Sequence, residues 1–119
     1  SPNGRSRWSG NRRRSRTGSV RTPGSAGTSV RIAFTPGHSL GHQSVVCRLA
    51  QRDFVIAGDA VFNWRQMEGL AEPWRVPDRH SWERSLWEIQ ELRREYPYTV
   101  VVPGHDGGFW KQLEPRYAD

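Results

Sequence analysis

Acidic residues are missing from the first 52 positions of this 119-residue chain, which carry ten arginines, whereas the remainder holds twelve Asp or Glu against eight Arg or Lys. The net charge of +6 is therefore a property of the front, and the rest of the chain is acidic by four. A nucleic-acid-binding domain, with its basic patch on a folded face, does not follow from this distribution. Cysteine is almost absent as well. A single thiol, Cys47, excludes a disulfide framework and makes a reducing, cytoplasmic compartment the default. No apolar run approaches the roughly 18 residues of a membrane span, and no charged-apolar-small order resembles a signal peptide. The length leaves room for one domain at most, and the first residue is Ser1 rather than Met, which fits a fragment.

Apolar side chains are scarce in residues 1–29, where Trp8, Val20 and Ala26 stand among Gly, Ser, Arg, Pro, Thr and Asn. Ordering such a segment costs roughly 1–2 kcal/mol per residue in conformational entropy, and there is little surface to bury in return. A disordered basic tail is expected over 1–29, followed by one partial domain over 30–119. Arg5, Arg7, Arg12, Arg13, Arg14 and Arg16 could form a flexible phosphate-binding arm with Trp8 as a stacking residue. The plainer expectation is a solvated tail without a partner.

From Val30 the pattern changes. Val30–Thr35 alternates, Ser44–Ala50 reads as a second strand, and Gln51-Arg52-Asp53 turns the chain into Phe54–Ala57, so the last two are expected to pair as a hairpin. Cys47, inside a strand, is expected to behave as a small hydrophobe rather than a nucleophile. Ala60–Pro77 is irregular and rich in large side chains (Phe62, Trp64, Met67, Trp74), which are candidate pocket walls or core residues. Asp78 is placed to cap a helix, in which Trp82, Leu86, Ile89, Leu92 and Tyr96 recur at spacings of three and four on one face until Pro97 ends it. Tyr98–Val102 is a β-branched strand whose continuous apolar character predicts burial on both faces. Gly107–Asp119 is expected to begin a short helix.

Three strand ends carry chemistry: His38 in Thr35-Pro36-Gly37-His38-Ser39-Leu40-Gly41-His42-Gln43-Ser44, Asp59 in Ala57-Gly58-Asp59-Ala60, and His105 in Val101-Val102-Pro103-Gly104-His105-Asp106. Imidazole nitrogen and carboxylate oxygen are zinc ligands, and a catalytic zinc keeps a position open for water, whose pKa then falls to about 7. The order and flanks of these motifs resemble the C-terminal half of the metallo-β-lactamase fold, from about Val30 to the end. Within that superfamily the likeness is greatest to N-acyl homoserine lactone lactonase-like, quorum-quenching hydrolases and to glyoxalase II-like hydrolases.

The resemblance implies an α/β (α+β) fold, the C-terminal half of an αββα sandwich. It implies that His38 ligates one zinc, that Asp59 bridges two metals and that His105 completes the second, with His42 structural. It also implies a metal-dependent hydrolase acting on a small-molecule lactone, thioester or similar ester, with Phe62 and Trp64 as substrate-binding residues. The superfamily's His-x-His-x-Asp-His loop does not occur here, the histidines being His38, His42, His80 and His105. Intact relatives hold two zinc ions; one or none is expected in this chain, with little or no hydrolysis. Phe62 stands where a tyrosine is common in lactonase-like members. Half of a sandwich would also leave an apolar face uncovered, and self-association through it is expected. Asp106 is expected to orient or turn rather than ligate, and His80 to lie on the surface.

Two other functions remain open on the residues. Gly37-His38-Ser39-Leu40-Gly41 satisfies G-x-S-x-G, the nucleophile elbow of serine α/β-hydrolases, with Asp59 and His105 following in the right order. The basic tail alternatively makes the chain a non-catalytic nucleic-acid-binding module.

Overall fold

The structure is a computed structural model that describes residues 19–21, 29–71 and 75–117. It is a mixed α+β fold. Five strands form one sheet in the order of the sequence: β1 (Ser19–Arg21), β2 (Ser29–Phe34), β3 (Gln43–Arg48), β4 (Asp53–Gly58) and β5 (Val100–Pro103). The first four run antiparallel in succession, and β5 returns parallel to β4 after a crossover. That crossover contains the four-residue helix α1 (Trp64–Met67) and the 17-residue helix α2 (Arg79–Glu95); α3 (Gly107–Trp110) follows β5. No helix among the described residues is long and apolar enough to cross a membrane.

The expected β3–β4 hairpin is present, closed by the Leu49 N–H donating to the Arg52 carbonyl at 3.0 Å. Within the stretch expected to be structureless, Ser19–Arg21 pair with Ser29–Arg31 as an edge strand. The arginine arm, Trp8 and Trp74 lie outside the described residues.

One sheet face carries the core. Val46, Val55 and Val101 stand in register across β3, β4 and β5 and pack with Ala33, Ala57, Met67, Ile89 and Leu92, all buried. Period-two alternation on the strands and a 3.6-residue stripe on α2 bring these side chains to a common layer. The helix begins where expected, its cap Asp78 accepting from the Ser81 N–H at 3.1 Å. Its buried stripe is Trp82, Ser85, Glu88, Ile89 and Leu92, whereas Tyr96 is the C-cap and 38% exposed. Met67, expected as either a pocket wall or a core residue, is core.

The opposite face holds Ile32, Val45, Ile56 and Val102 in one row, with Ile32 and Ile56 exposed. Burial of β5 on both faces is therefore not observed: Val101 and Pro103 are buried, Val100 and Val102 only half-buried, and Tyr98 lies outside the strand and is 82% exposed. The unbroken apolar run reflects a second face that no described residue fully covers.

Candidate metal centre

Each of the three strand-end residues follows a glycine, and at Gly37 and Gly104 the neighbouring backbone leaves no room for a side chain. Gly37, at φ +138°, lies directly against the backbone of Trp82 in the first turn of α2. The Asp78 N–H donates to the Gly37 carbonyl at 3.2 Å, and the Ser85 hydroxyl donates to the Pro36 carbonyl at 2.8 Å. The amphipathic helix thus holds the loop that presents His38. Gly58, at φ +55°, turns the chain out of β4 so that Asp59 leaves the ladder, where the β4–β5 register slips between Ile56 and Gly58. Gly104 lies against the Gly58 carbonyl. Beyond it, the Gly104 and His105 N–H groups donate to the Val61 and Phe62 carbonyls, each at 2.8 Å, which brings His105 alongside Asp59.

The result is an imidazole on each oxygen of one carboxylate. His105 Nε2 lies 2.7 Å from Asp59 Oδ1, and His38 Nε2 lies 3.3 Å from Asp59 Oδ2. Side-chain exposure of 39% for His38, 32% for Asp59 and 67% for His105 leaves the group open to solvent on one side. Phe62 stands between the two imidazoles, its ring edge-on to His38 at 5.5 Å and to His105 at 5.4 Å between centroids. Trp64 does not join them. Its ring stacks on Phe109 at 5.8 Å beneath the Arg93 guanidinium at 5.1 Å. Among the described residues, no three or more His, Cys, Asp or Glu side chains close around a single point; the donors form two pairs that share Asp59.

Two neighbours steady this arrangement. Asp106 accepts from the Trp64 N–H at 2.9 Å and from the Phe109 N–H at 3.0 Å, so it ties α1 to α3 rather than facing the histidines. Those donors, Trp64 first, hold its carboxyl below the usual range. His42 lies behind Asp59, its Nε2 3.0 Å from the Asp59 backbone N–H. His80, in α2, is exposed and remote in sequence from the group.

The nucleophile elbow is not formed. That device needs a strand, a sharp turn and a helix, whereas residues 35–42 join two antiparallel strands. His105 Nε2, the atom that would have to serve Ser39, is bonded to Asp59.

The family model described as "Metallo-beta-lactamase superfamily" matches residues 5–105. The chain belongs to this superfamily. An N-acyl homoserine lactonase, AttM, of Rhizobium radiobacter is 30% identical over 82 residues, covering 68% of this chain and 31% of its own length. AttM of Rhizobium johnstonii is 30% identical over 87 residues, 71% of this chain and 33% of its own. Among solved structures, an N-acyl homoserine lactone hydrolase with the product N-hexanoyl-L-homoserine bound at its catalytic metal centre superposes with a TM-score of 0.66. It is 26% identical, and the match covers 85% of this chain and 39% of that one. A variant of B. thuringiensis AiiA with N-decanoyl-L-homoserine in its active site gives the same TM-score, identity and coverage. The chain thus spans about a third of the curated superfamily members it matches, and its fold is that of the superfamily's lactonases.

Proposed function

We propose that the chain supplies part of the metal centre of a hydrolase that opens a lactone, thioester or similar ester. The observation that carries this is the Asp59 carboxylate with one imidazole on each of its two oxygens. A carboxylate shared in this way can serve two ions, one per oxygen, and imidazole with carboxylate is a zinc donor set. A tetrahedral zinc with bonds of about 2.0–2.1 Å sets its donor atoms about 3.3 Å apart, which is the spacing from His38 to Asp59. His105 instead makes a direct hydrogen bond to Asp59.

Zinc, when bound, would polarise the substrate carbonyl and supply hydroxide at neutral pH. His38, Asp59 and His105 would hold it, while Phe62 fixes the separation of the two imidazoles and gives the site an apolar floor. Phe62 has no hydroxyl to donate to a substrate, so an acyl chain or ring meets only an apolar surface there. Trp64, on the Phe109 stack, could meet an extended substrate. The lone thiol Cys47 supports a cytoplasmic setting.

Because the chain matches only about a third of its relatives' length, we expect it to bind zinc singly or weakly and to hydrolyse little by itself. Calorimetric titration of the metal-free chain with zinc tests the ligand set. Asp59→Asn is expected to weaken binding most, since both donor pairs lose their shared member, and His38→Ala and His105→Ala each less. Zinc binding indifferent to all three substitutions would refute the metal reading. Stoichiometric zinc kept through dialysis, with lactone turnover that His38→Ala abolishes, would overturn the expected inactivity.

A further inference from the structure

His42 sits at the centre of a hydrogen-bonded chain whose direction the donors determine. The Asp59 backbone N–H can only donate, so His42 Nε2, 3.0 Å away, is the bare, accepting nitrogen and the ring proton is on Nδ1. Nδ1–H then donates to the Thr35 carbonyl at 3.0 Å and shares Thr35 Oγ1 at 2.9 Å. With Oγ1 accepting there, its own proton goes to Ser44 Oγ at 2.8 Å, and the Ser44 hydroxyl donates to the Ala57 carbonyl at 3.1 Å. Every proton in the chain is thereby assigned. Thr35 and Ser44 are buried.

The relay spans the two backbone segments that present His38 and Asp59. Thr35 is the last residue before the Pro36-Gly37-His38 turn, and Asp59 is the first after the Gly58 turn, where the register slip has removed its N–H from the sheet. A buried or half-buried N–H without an acceptor is costly, and here the acceptor is a side chain rather than a strand. Gly58 is part of the same device: a Cβ at that position would stand 3.0 Å from His42 Nε2.

We infer that His42 is a positioning residue, which sets the Asp59 carboxylate against His38 by holding the Asp59 amide to the Thr35 backbone. Both of its ring nitrogens are engaged within the protein, which leaves neither to bind a metal. This rests on the metal reading given above, but it is a statement about the metal-free chain as well.

Two measurements test it. In the metal-free chain, ¹⁵N NMR should show His42 protonated on Nδ1 and a coupling across the hydrogen bond between the Asp59 amide nitrogen and His42 Nε2. The other tautomer, or an Asp59 amide without that coupling, would overturn the inference even if zinc binding were normal. Zinc titration then compares His42→Ala, which removes the acceptor, with His42→Gln, whose side-chain oxygen reaches nearly the same point. Loss of about 10–100-fold in zinc affinity is expected for alanine, with most of it restored by glutamine. Equal loss in both variants, or none in either, would overturn the inference. Should the parent chain bind no zinc, the metal reading fails, and the NMR result alone decides the role of His42. The NMR arm also needs no substituted chain to fold.

Discussion

Gly104 lies flat on the carbonyl of Gly58, and a methyl group at position 104 would overlap that oxygen. Because the obstacle is backbone, it cannot swing aside. Gly104→Ala is expected to destabilise the chain by about 1–3 kcal/mol, as overpacking does, and to displace His105 from Asp59. Gly41→Ala makes the control, since nothing lies within 4 Å of a Cβ there; its effect should stay within about 0.5 kcal/mol. Urea titration of both variants distinguishes a steric requirement from a general intolerance of these loops.

Ile89 is fully buried and Leu92 is 1% exposed, both within the cluster that joins α2 to the sheet. Replacing either with alanine removes transfer energy and leaves a cavity, so each should cost about 2–5 kcal/mol. Since α2 also braces the His38 loop through Asp78, Trp82 and Ser85, loosening it should broaden the His38 ring resonances before the chain unfolds. Tyr96→Ala, at an exposed cap, should be far milder.

Asp78 caps α2, and hydrogen bonds from the Ser81 hydroxyl and the Ser81 N–H hold its carboxyl below the ordinary value. A depressed pKa means that the native state binds the proton less readily than the unfolded chain. Its contribution is therefore present above the unfolded value, about 3.9, and is lost as pH falls through the lower native value. Asp78→Asn keeps a good cap but cannot titrate. Below about pH 4 the stability of this variant should fall less steeply than that of the parent, as followed by helical circular dichroism.

Burial raises the pKa of the Cys47 thiol. At neutral pH it should react more slowly with iodoacetamide than a free thiol, and the rate should rise when urea unfolds the chain. Equal rates in both states would mean that β3 does not shelter the sulfur.

Much of this site was legible in the sequence because its three residues end apolar runs and each follows a glycine. Pro36-Gly37-His38, Gly58-Asp59 and Gly104-His105 mark where a strand stops and a polar side chain is turned out. The relay through His42 was not read, although Thr35 and Ser44 flank it at positions that an antiparallel pairing brings together. Hydroxyl partners are chosen in space, and only the β2–β3 register supplies that. The helix stripe was legible at Trp82, Ile89 and Leu92 but not at Ser85 and Glu88, because a polar residue can be buried when its partners are at hand. The stacking of Trp64 on Phe109 was not legible for a related reason: composition marks an aromatic as apolar without saying which neighbour it will stack on. Ser19–Arg21 escaped notice because three residues of edge strand depend on the pairing offered by β2, not on their own propensity.

The succession of strands from β1 to β4 has a kinetic consequence. Neighbouring antiparallel strands close short loops, whereas β5 must return over the whole crossover before it can pair. The strand ends that carry His38 and Asp59 can therefore approach early, within the meander, whereas α2, which braces the His38 loop, and His105, 46 positions beyond Asp59, arrive with the slowest closure. The completed trio, with an imidazole on each oxygen of the aspartate, is therefore a mark of the final event of assembly.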